Sequence, residues 1–174
     1  MSFSIEKNIE ILERTPAVLH SLLSGLSDEW IYSNEGGSSW SPFDVVGHIL
    51  YADNNNWIPR METILAEEGN HTFAPFDRFA QLEANKGKPL QTLLDDFTKV
   101  RATNMALLRS KQLNAEQLER TGIHPDLGVV TLQQLLATWA THDLAHLAQI
   151  ARVMAKQNAS YVGPWERNLP ILRK

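Results

Sequence analysis

The chain of 174 residues contains no cysteine, which removes disulfides, thiolate metal ligands and a cysteine nucleophile together. Any thiol chemistry has to use a thiol brought in from outside. No apolar stretch is long enough to span a bilayer. The opening segment, MSFSIEKNIEILER, is charged and periodic where a signal peptide carries an unbroken apolar run, so a cytoplasmic location and no membrane partner are expected. With 16 Lys and Arg against 20 Asp and Glu, the net charge is −4 and no basic cluster stands out. The electrostatic footprint of a nucleic-acid binder is therefore missing. Strand-like alternation is nearly absent, as are internal repeats and low-complexity tracts, so a single domain, 1–174, with a sizeable core is expected.

What the chain does carry is helical periodicity in four long segments, near 4–24, 42–67, 90–110 and 131–156. Each has one apolar face, which predicts an all-α, up-and-down style four-helix bundle. In the first segment Ile5, Ile9, Leu12, Leu19 and Leu23 keep helical spacing, and Pro16 is expected to kink or restart the helix near Thr15. The second opens at Ser41-Pro42-Phe43-Asp44, with a serine N-cap, proline at the first helical position and an acid near the free N–H groups. Pro59 should interrupt it. Residues 69–88, with His71, Phe73, Phe76 and Phe79, form a long connection, read as a crossover ahead of a lid. Leu93, Phe97, Val100, Asn104 and Leu107 give the third helix a structural role, and a short helical turn is expected at Asn114–Leu118. The segment RTGIHPDLGVVT reads as a loop that ends at Thr131, an N-cap for the last helix.

The chemistry concentrates in that last helix, TLQQLLATWATHDLAHLAQIARVM. His142 and His146 are four residues apart, so their rings leave one face a turn apart. Leu132, Leu135, Trp139, Ile150 and Val153 fall on the same side, which aims both imidazoles inward. Two readings stay open at this point: a pair of hydrogen-bonded core histidines, or two ligands of one ion. In the second helix, Asp44, Val45, Tyr51, Ala52 and Asn55 share the side of His48, with Leu50 and Trp57 pointing elsewhere. Buried polar groups are costly without partners, so a polar inward face implies a lined cavity; the alternative is that this face looks at solvent. Trp139, Asp143 and Gln149 join Asp44, Tyr51 and Asn55 as candidates for the pocket wall or for the groups that support the histidines. Asp143 is expected to find a hydrogen bond near the site or in a loop. His20, His71 and His124 lack a spaced partner and are expected to stay outside any metal site. The far side of the last helix, with Ala137, Ala140, Leu144, Leu147, Ala148 and Ala151, is also apolar, and its small residues suit close approach of a second copy, a homodimer.

Three stretches, SSWSPFDVVGHILYAD, HPDLGVVTLQQLLATWATHDLAHLAQI and VGPWERNLPIL, taken with the helix order, resemble the DinB-like superfamily of metal-binding four-helix bundles. The resemblance covers nearly the whole chain. It implies a divalent metal held by one histidine of the second helix and an H-x-x-x-H pair of the fourth, matching His48, His142 and His146. It also implies relatives that use low-molecular-weight thiols such as bacillithiol, mycothiol or glutathione in metal-dependent transfer or isomerisation. Three neutral imidazoles leave zinc with open coordination, as in catalytic sites, and nickel, iron or manganese also accept imidazole nitrogen. A thiol bound there would lose its proton to the ion's field. The leading expectation is a thiol-dependent S-transferase acting on a small molecule. A hydrolase using a metal-bound hydroxide is the rival, and a non-catalytic, metal-stapled interaction or stress-response module the third reading. HDLAH has the spacing of H-E-x-x-H with Asp143 where the general-base Glu belongs, which argues against a peptidase. No general base is identified.

Overall fold

The computed structural model describes residues 3–173; Met1, Ser2 and Lys174, the ends of the expected 1–174 domain, lie outside the described residues. Four long helical stretches carry the fold: α1 (Ile5–Leu23), α3 (Pro42–Asn55) continued by α4 (Trp57–Leu65), α6 (Leu90–Ser110) and α8 (Leu132–Gln157). Short helices α2 (Asp28–Tyr32), α5 (Ala80–Ala84) and α7 (Ala115–Glu119) lie in the connections, and two 3₁₀ turns, Gly163–Asn168 and Pro170–Leu172, close the chain. The fold is the all-α four-helix bundle that periodicity predicts, each long helix within two residues of its expected bounds, though its helices do not simply alternate in direction.

Capping fixes where α3 and α8 begin. Ser41 accepts from the Asp44 N–H while Asp44 accepts from the Ser41 N–H and hydroxyl; Thr131 and Gln134 exchange the same pair of bonds. Each box satisfies two amides that a helix start would otherwise leave bare. The break between α3 and α4 falls at Asn56 because Pro59 has no N–H to give the Asn55 carbonyl. Pro16 behaves differently from expectation, since α1 runs unbroken through it. The carbonyl that its missing N–H leaves free, that of Leu12, accepts a 2.7 Å bond from Arg101 Nη1.

α1 packs against α6 and α8, and α3 packs against the same two, which places α1 and α3 on a diagonal. His20 meets Gln91 while Glu13 meets Arg109, so α1 and α6 are antiparallel. Asp53 meets Arg101 and Glu62 meets Lys111, so α3–α4 and α6 run the same way. Leu12 shares a cluster with Leu132 and Leu136, and Leu19 and Leu23 share the other with Ile150, so α8 runs with α1. The directions are up, down, down, up. Two parallel neighbours require the chain to return over a helix length, about 30 Å, and residues 66–89 provide that crossover. Its α5 lies tight against α3, where a Cβ on Gly47 would come within 2.5 Å of Gln81 Oε1.

The segment read as a loop at 120–131 holds a two-stranded hairpin, β1 (Thr121–His124) with β2 (Gly128–Thr131), antiparallel with Ile123 opposite Val129. β-branched residues flank a Pro-Asp turn, and Gly128 adopts φ 75, the left-handed value that three-residue hairpin loops place after the turn. The expected short helix at Asn114–Leu118 is α7, with Asn114 as its N-cap.

Candidate metal centre

Between the two apolar layers of the bundle lies a buried polar cluster. Arg101, from α6, is 1% exposed, Asp53 1% and Asp143 0%. The guanidinium gives Nε and Nη2 to Asp53 at 2.7 and 2.9 Å, Nη1 and Nη2 to Asp143 at 2.6 and 3.1 Å, and Nη1 to Leu12 O. All five of its N–H groups are used. Asp53 also accepts from Trp139 Nε1 at 3.1 Å, and its backbone carbonyl accepts from Asn104 at 2.8 Å. Asp143 is thus paired across the bundle with Arg101, a partner on another long helix and not a loop contact. This pairing sets the rotation of α8, and with it the direction of the neighbouring histidines.

His48 Nε2 lies 3.1 Å from His142 Nε2, and His146 Nε2 lies 3.1 Å from the same atom. Each of the three offers one ligand atom, and all lie within 4.8 Å of one another. Burial pushes the His142 imidazole down to about 3 and that of His48 to about 4, with His146 nearby adding to both effects; burial lowers His146 as well. All three rings are therefore neutral near pH 7, the form that binds metal. The Gln149 side chain faces His146 Nδ1 at 2.8 Å. With the amide oxygen accepting from Nδ1–H, the His146 Nε2 lone pair points at the other rings. Imidazoles on a tetrahedral ion with bonds of about 2.0–2.1 Å hold their nitrogens roughly 3.3 Å apart. The donor set and its spacing fit a divalent ion.

A cavity of about 500 Å³ opens beside His48 and His142, lined also by Asn56, Trp57, Arg60 and Phe76. Five buried side-chain polar atoms lack a partner among the described residues: His48 Nδ1, His142 Nδ1, Asn56 Oδ1, Trp57 Nε1 and Gln81 Nε2. Four belong to residues that line this cavity. Buried polar atoms rarely go unpaired, so the imbalance marks this wall as built for something besides packing. A second cavity, of about 370 Å³, touches His146 and Gln149, with Trp40, Arg78 and Arg152 in its lining.

The remaining expected pocket residues are scattered. Asp44 is engaged in the α3 capping box. Tyr51 is half-buried with its ring 5.5 Å from Phe76, Asn55 is exposed and bonds the Tyr51 carbonyl, and Trp139 is enclosed, stacked on Trp57. His20 is tied to Ser24 and Gln91, and His71 to the Thr63 carbonyl. His124, on the hairpin, lines the cavity but is not one of the converging three. Sequence reasoning missed Trp57, which it pointed elsewhere, and Arg60, Arg78 and Asp126. The break at Asn56 resets the helical phase, so counting round α3 misplaces everything beyond it.

The sequence profile of the DinB superfamily matches residues 11–150. The chain belongs to the DinB superfamily. Among curated DinB-like relatives, a protein of Oceanobacillus iheyensis is 24% identical over 88% of each chain, and one of Bacillus cereus is 27% identical over 88% of this chain and 87% of its own; each bears the name "Putative metal-dependent hydrolase". Among solved structures, YfiT from Bacillus subtilis superposes with a TM-score of 0.71 at 26% identity, covering 87% of this chain and 89% of its own. It is described as "a probable metal-dependent hydrolase with an unusual four-helix bundle topology". No helix among the described residues is long and apolar enough to cross a membrane.

Proposed function

We propose that this DinB-superfamily chain is a metal-dependent enzyme acting on a small molecule, with His48, His142 and His146 as the metal ligands. The observation that carries this reading is the convergence of three neutral imidazoles, two of them, His48 and His142, on the wall of a cavity where Asn56 and Trp57 also leave buried polar atoms without partners. A divalent ion held there supplies Lewis acidity and the means to ionise a thiol or water near neutral pH. Zinc or nickel suits the all-imidazole set, with iron and manganese as further candidates.

The finer reading is an S-transferase that takes a low-molecular-weight thiol as co-substrate. A cysteine-free chain has to import its sulfur nucleophile, and two cavities that touch different members of the triad leave room for two reactants. Gln149 orients His146, and Trp57 and Phe76 shape the apolar wall. The second reading is a hydrolase, supported by the names of the relatives; it needs one organic reactant and water. An open cavity against the triad argues for either over a non-catalytic metal staple. The protein works as one cytoplasmic domain without nucleic-acid or membrane partners. We also propose a homodimer, formed through the exposed part of the α8 rear face at Leu144, Ala148 and Ala151.

Metal analysis of the purified protein tests the centre, with about one equivalent expected in the wild type. The loaded protein is then screened with bacillithiol, mycothiol and glutathione against model electrophiles, in parallel with ester and amide substrates without thiol. Conjugation that needs both thiol and metal supports the transferase; turnover without thiol replaces it by the hydrolase; neither, with metal bound, leaves the staple. A monomer mass by sedimentation at micromolar concentration would overturn the dimer.

A further inference from the structure

The cavity beside the triad is bordered by two arginines that the triad does not explain. Arg60 rises from α4 and Arg78 from the crossover, and both line it together with Asp126, His124, Trp57 and Phe76. Each guanidinium lies against an aromatic ring, Arg60 at 5.0 Å from the Phe73 centroid and Arg78 at 4.7 Å from that of Phe79. An arginine held against an aromatic ring keeps its N–H groups available to a ligand. Among the described residues, neither forms a salt bridge. Several other arginines find acceptors: Arg101 uses all five donors, Arg152 is held by Glu35, Arg109 by Glu13 and Arg120 by the Leu65 and Ala66 carbonyls. Two unmatched guanidiniums facing one cavity therefore stand apart.

Charge points the same way. The lining carries two arginines against one carboxylate, Asp126, so the cavity is cationic in a chain whose net charge is −4. Any metal at the triad adds to that excess. We propose that this cavity takes a small organic anion, its carboxylate or phosphate held by Arg60 and Arg78 and its apolar body against Trp57 and Phe76. A planar fork of N–H donors matches either anion, and a volume of about 500 Å³ accommodates a small ligand. The proposal rests on the functional reading above only in making this anion the substrate or co-substrate; the binding itself requires no metal.

Calorimetry on the full chain, first stripped of metal with a chelator and then reloaded, tests it with benzoate, phenyl phosphate and the neutral isostere benzamide. The metal-free protein is expected to bind at least one of the two anions about tenfold more tightly than benzamide, the worth of a charge-assisted hydrogen bond. Preference for benzoate assigns a carboxylate and preference for phenyl phosphate a phosphate. Arg60→Gln and Arg78→Gln should each remove about a factor of ten and leave metal content at the wild-type level. Arg78 is exposed at the rim, so Arg78→Gln keeps the fold even if Arg60→Gln, whose ring contact with Phe73 is buried, does not. Equal binding of benzamide and both anions, or wild-type anion affinity in Arg78→Gln, overturns the proposal. Wild-type protein that binds these anions but takes up no metal refutes the metal centre and leaves the anion site standing.

Discussion

Two polar clusters share the middle of this bundle, and they differ in how completely their members are satisfied. Around Arg101 every N–H has an acceptor, and Asp53, Asp143, Trp139 and the Leu12 carbonyl close the hydrogen-bond network. Around His142 the ring nitrogens face one another, two Nδ1 atoms have no partner, and a cavity opens alongside. α3 and α8 supply both clusters, and Asp143 and His142 are neighbours in sequence. The comparison teaches that burial of charge does not by itself mark a site. The complete network holds the helices in one rotation, and the incomplete one, held by it, is where chemistry can enter.

The largest effect should come from breaking the complete cluster. Arg101→Met leaves two buried carboxylates facing each other, and loss of one partner from a buried ionic network costs about 3–5 kcal/mol. Urea denaturation is expected to show a loss of that size or a chain that does not fold. Replacing all three charges together, Asp53→Leu, Arg101→Met and Asp143→Leu, should recover part of it, because apolar groups need no partners. A single variant of wild-type stability would mean that the cluster is not what fixes the bundle.

Breaking the incomplete cluster should do the reverse, with a large effect on metal and a small one on the fold. His48→Ala, His142→Ala and His146→Ala are each expected to lose most bound metal by elemental analysis, while the metal-free proteins stay within about 1 kcal/mol of wild type. His20→Ala, His71→Ala and His124→Ala should keep their metal. If His124→Ala loses metal as fully as His142→Ala, the ligand set is wrong.

Acid should separate the clusters further. The His48 and His142 rings bind protons less readily folded than unfolded, with values near 4 and 3 against the ordinary 6.5. Protonation therefore favours the unfolded chain. Their contribution is complete above about pH 6.5 and drains away as pH falls toward 4 and then 3. Thermal unfolding of metal-free protein should show this decline, and His48→Ala should flatten its upper part. An unchanged slope in that variant would place the acid sensitivity elsewhere.

The sequence made the histidines legible and hid the arginine network. His142 and His146 announce themselves by spacing on one helix, and the superfamily resemblance adds His48. Arg101 sits four residues after Phe97 and three before Asn104, on the core stripe of α6, but a charge on a stripe is read from sequence as an interruption, since its partners lie on other helices. The polar face assigned to α3 fails for a related reason. Asp44 is consumed locally by a cap and Asn55 by its own helix, whereas Asp53, off the face that the count picks out, is the enclosed carboxylate. The hairpin escaped because four-residue strands rich in glycine and proline turns look like loops until Thr72 and Phe73 of the crossover come to lie beside Ile123. Helix existence is a property of local spacing; cavity walls here are assembled from α3, α4, the crossover and the hairpin, and only the folded chain brings them together.

The smallest expected effect concerns Pro16, and it probes the complete cluster from its edge. A proline inside a helix costs about 3 kcal/mol relative to alanine, partly because the carbonyl four residues earlier loses its donor. Here that carbonyl belongs to Leu12, and Arg101 Nη1 donates to it at 2.7 Å. Pro16→Ala would present a second donor to an acceptor already engaged, in a helix whose course is set by contact with the guanidinium. The gain in helix propensity should then be offset by competition for Leu12 O, leaving a net change within about 1 kcal/mol in urea denaturation. In an Arg101→Met background the competitor is gone, and the same substitution should recover more stability than in the wild type. A full gain of about 3 kcal/mol from Pro16→Ala alone would show that the proline is merely tolerated and that the Leu12 bond contributes nothing to holding Arg101.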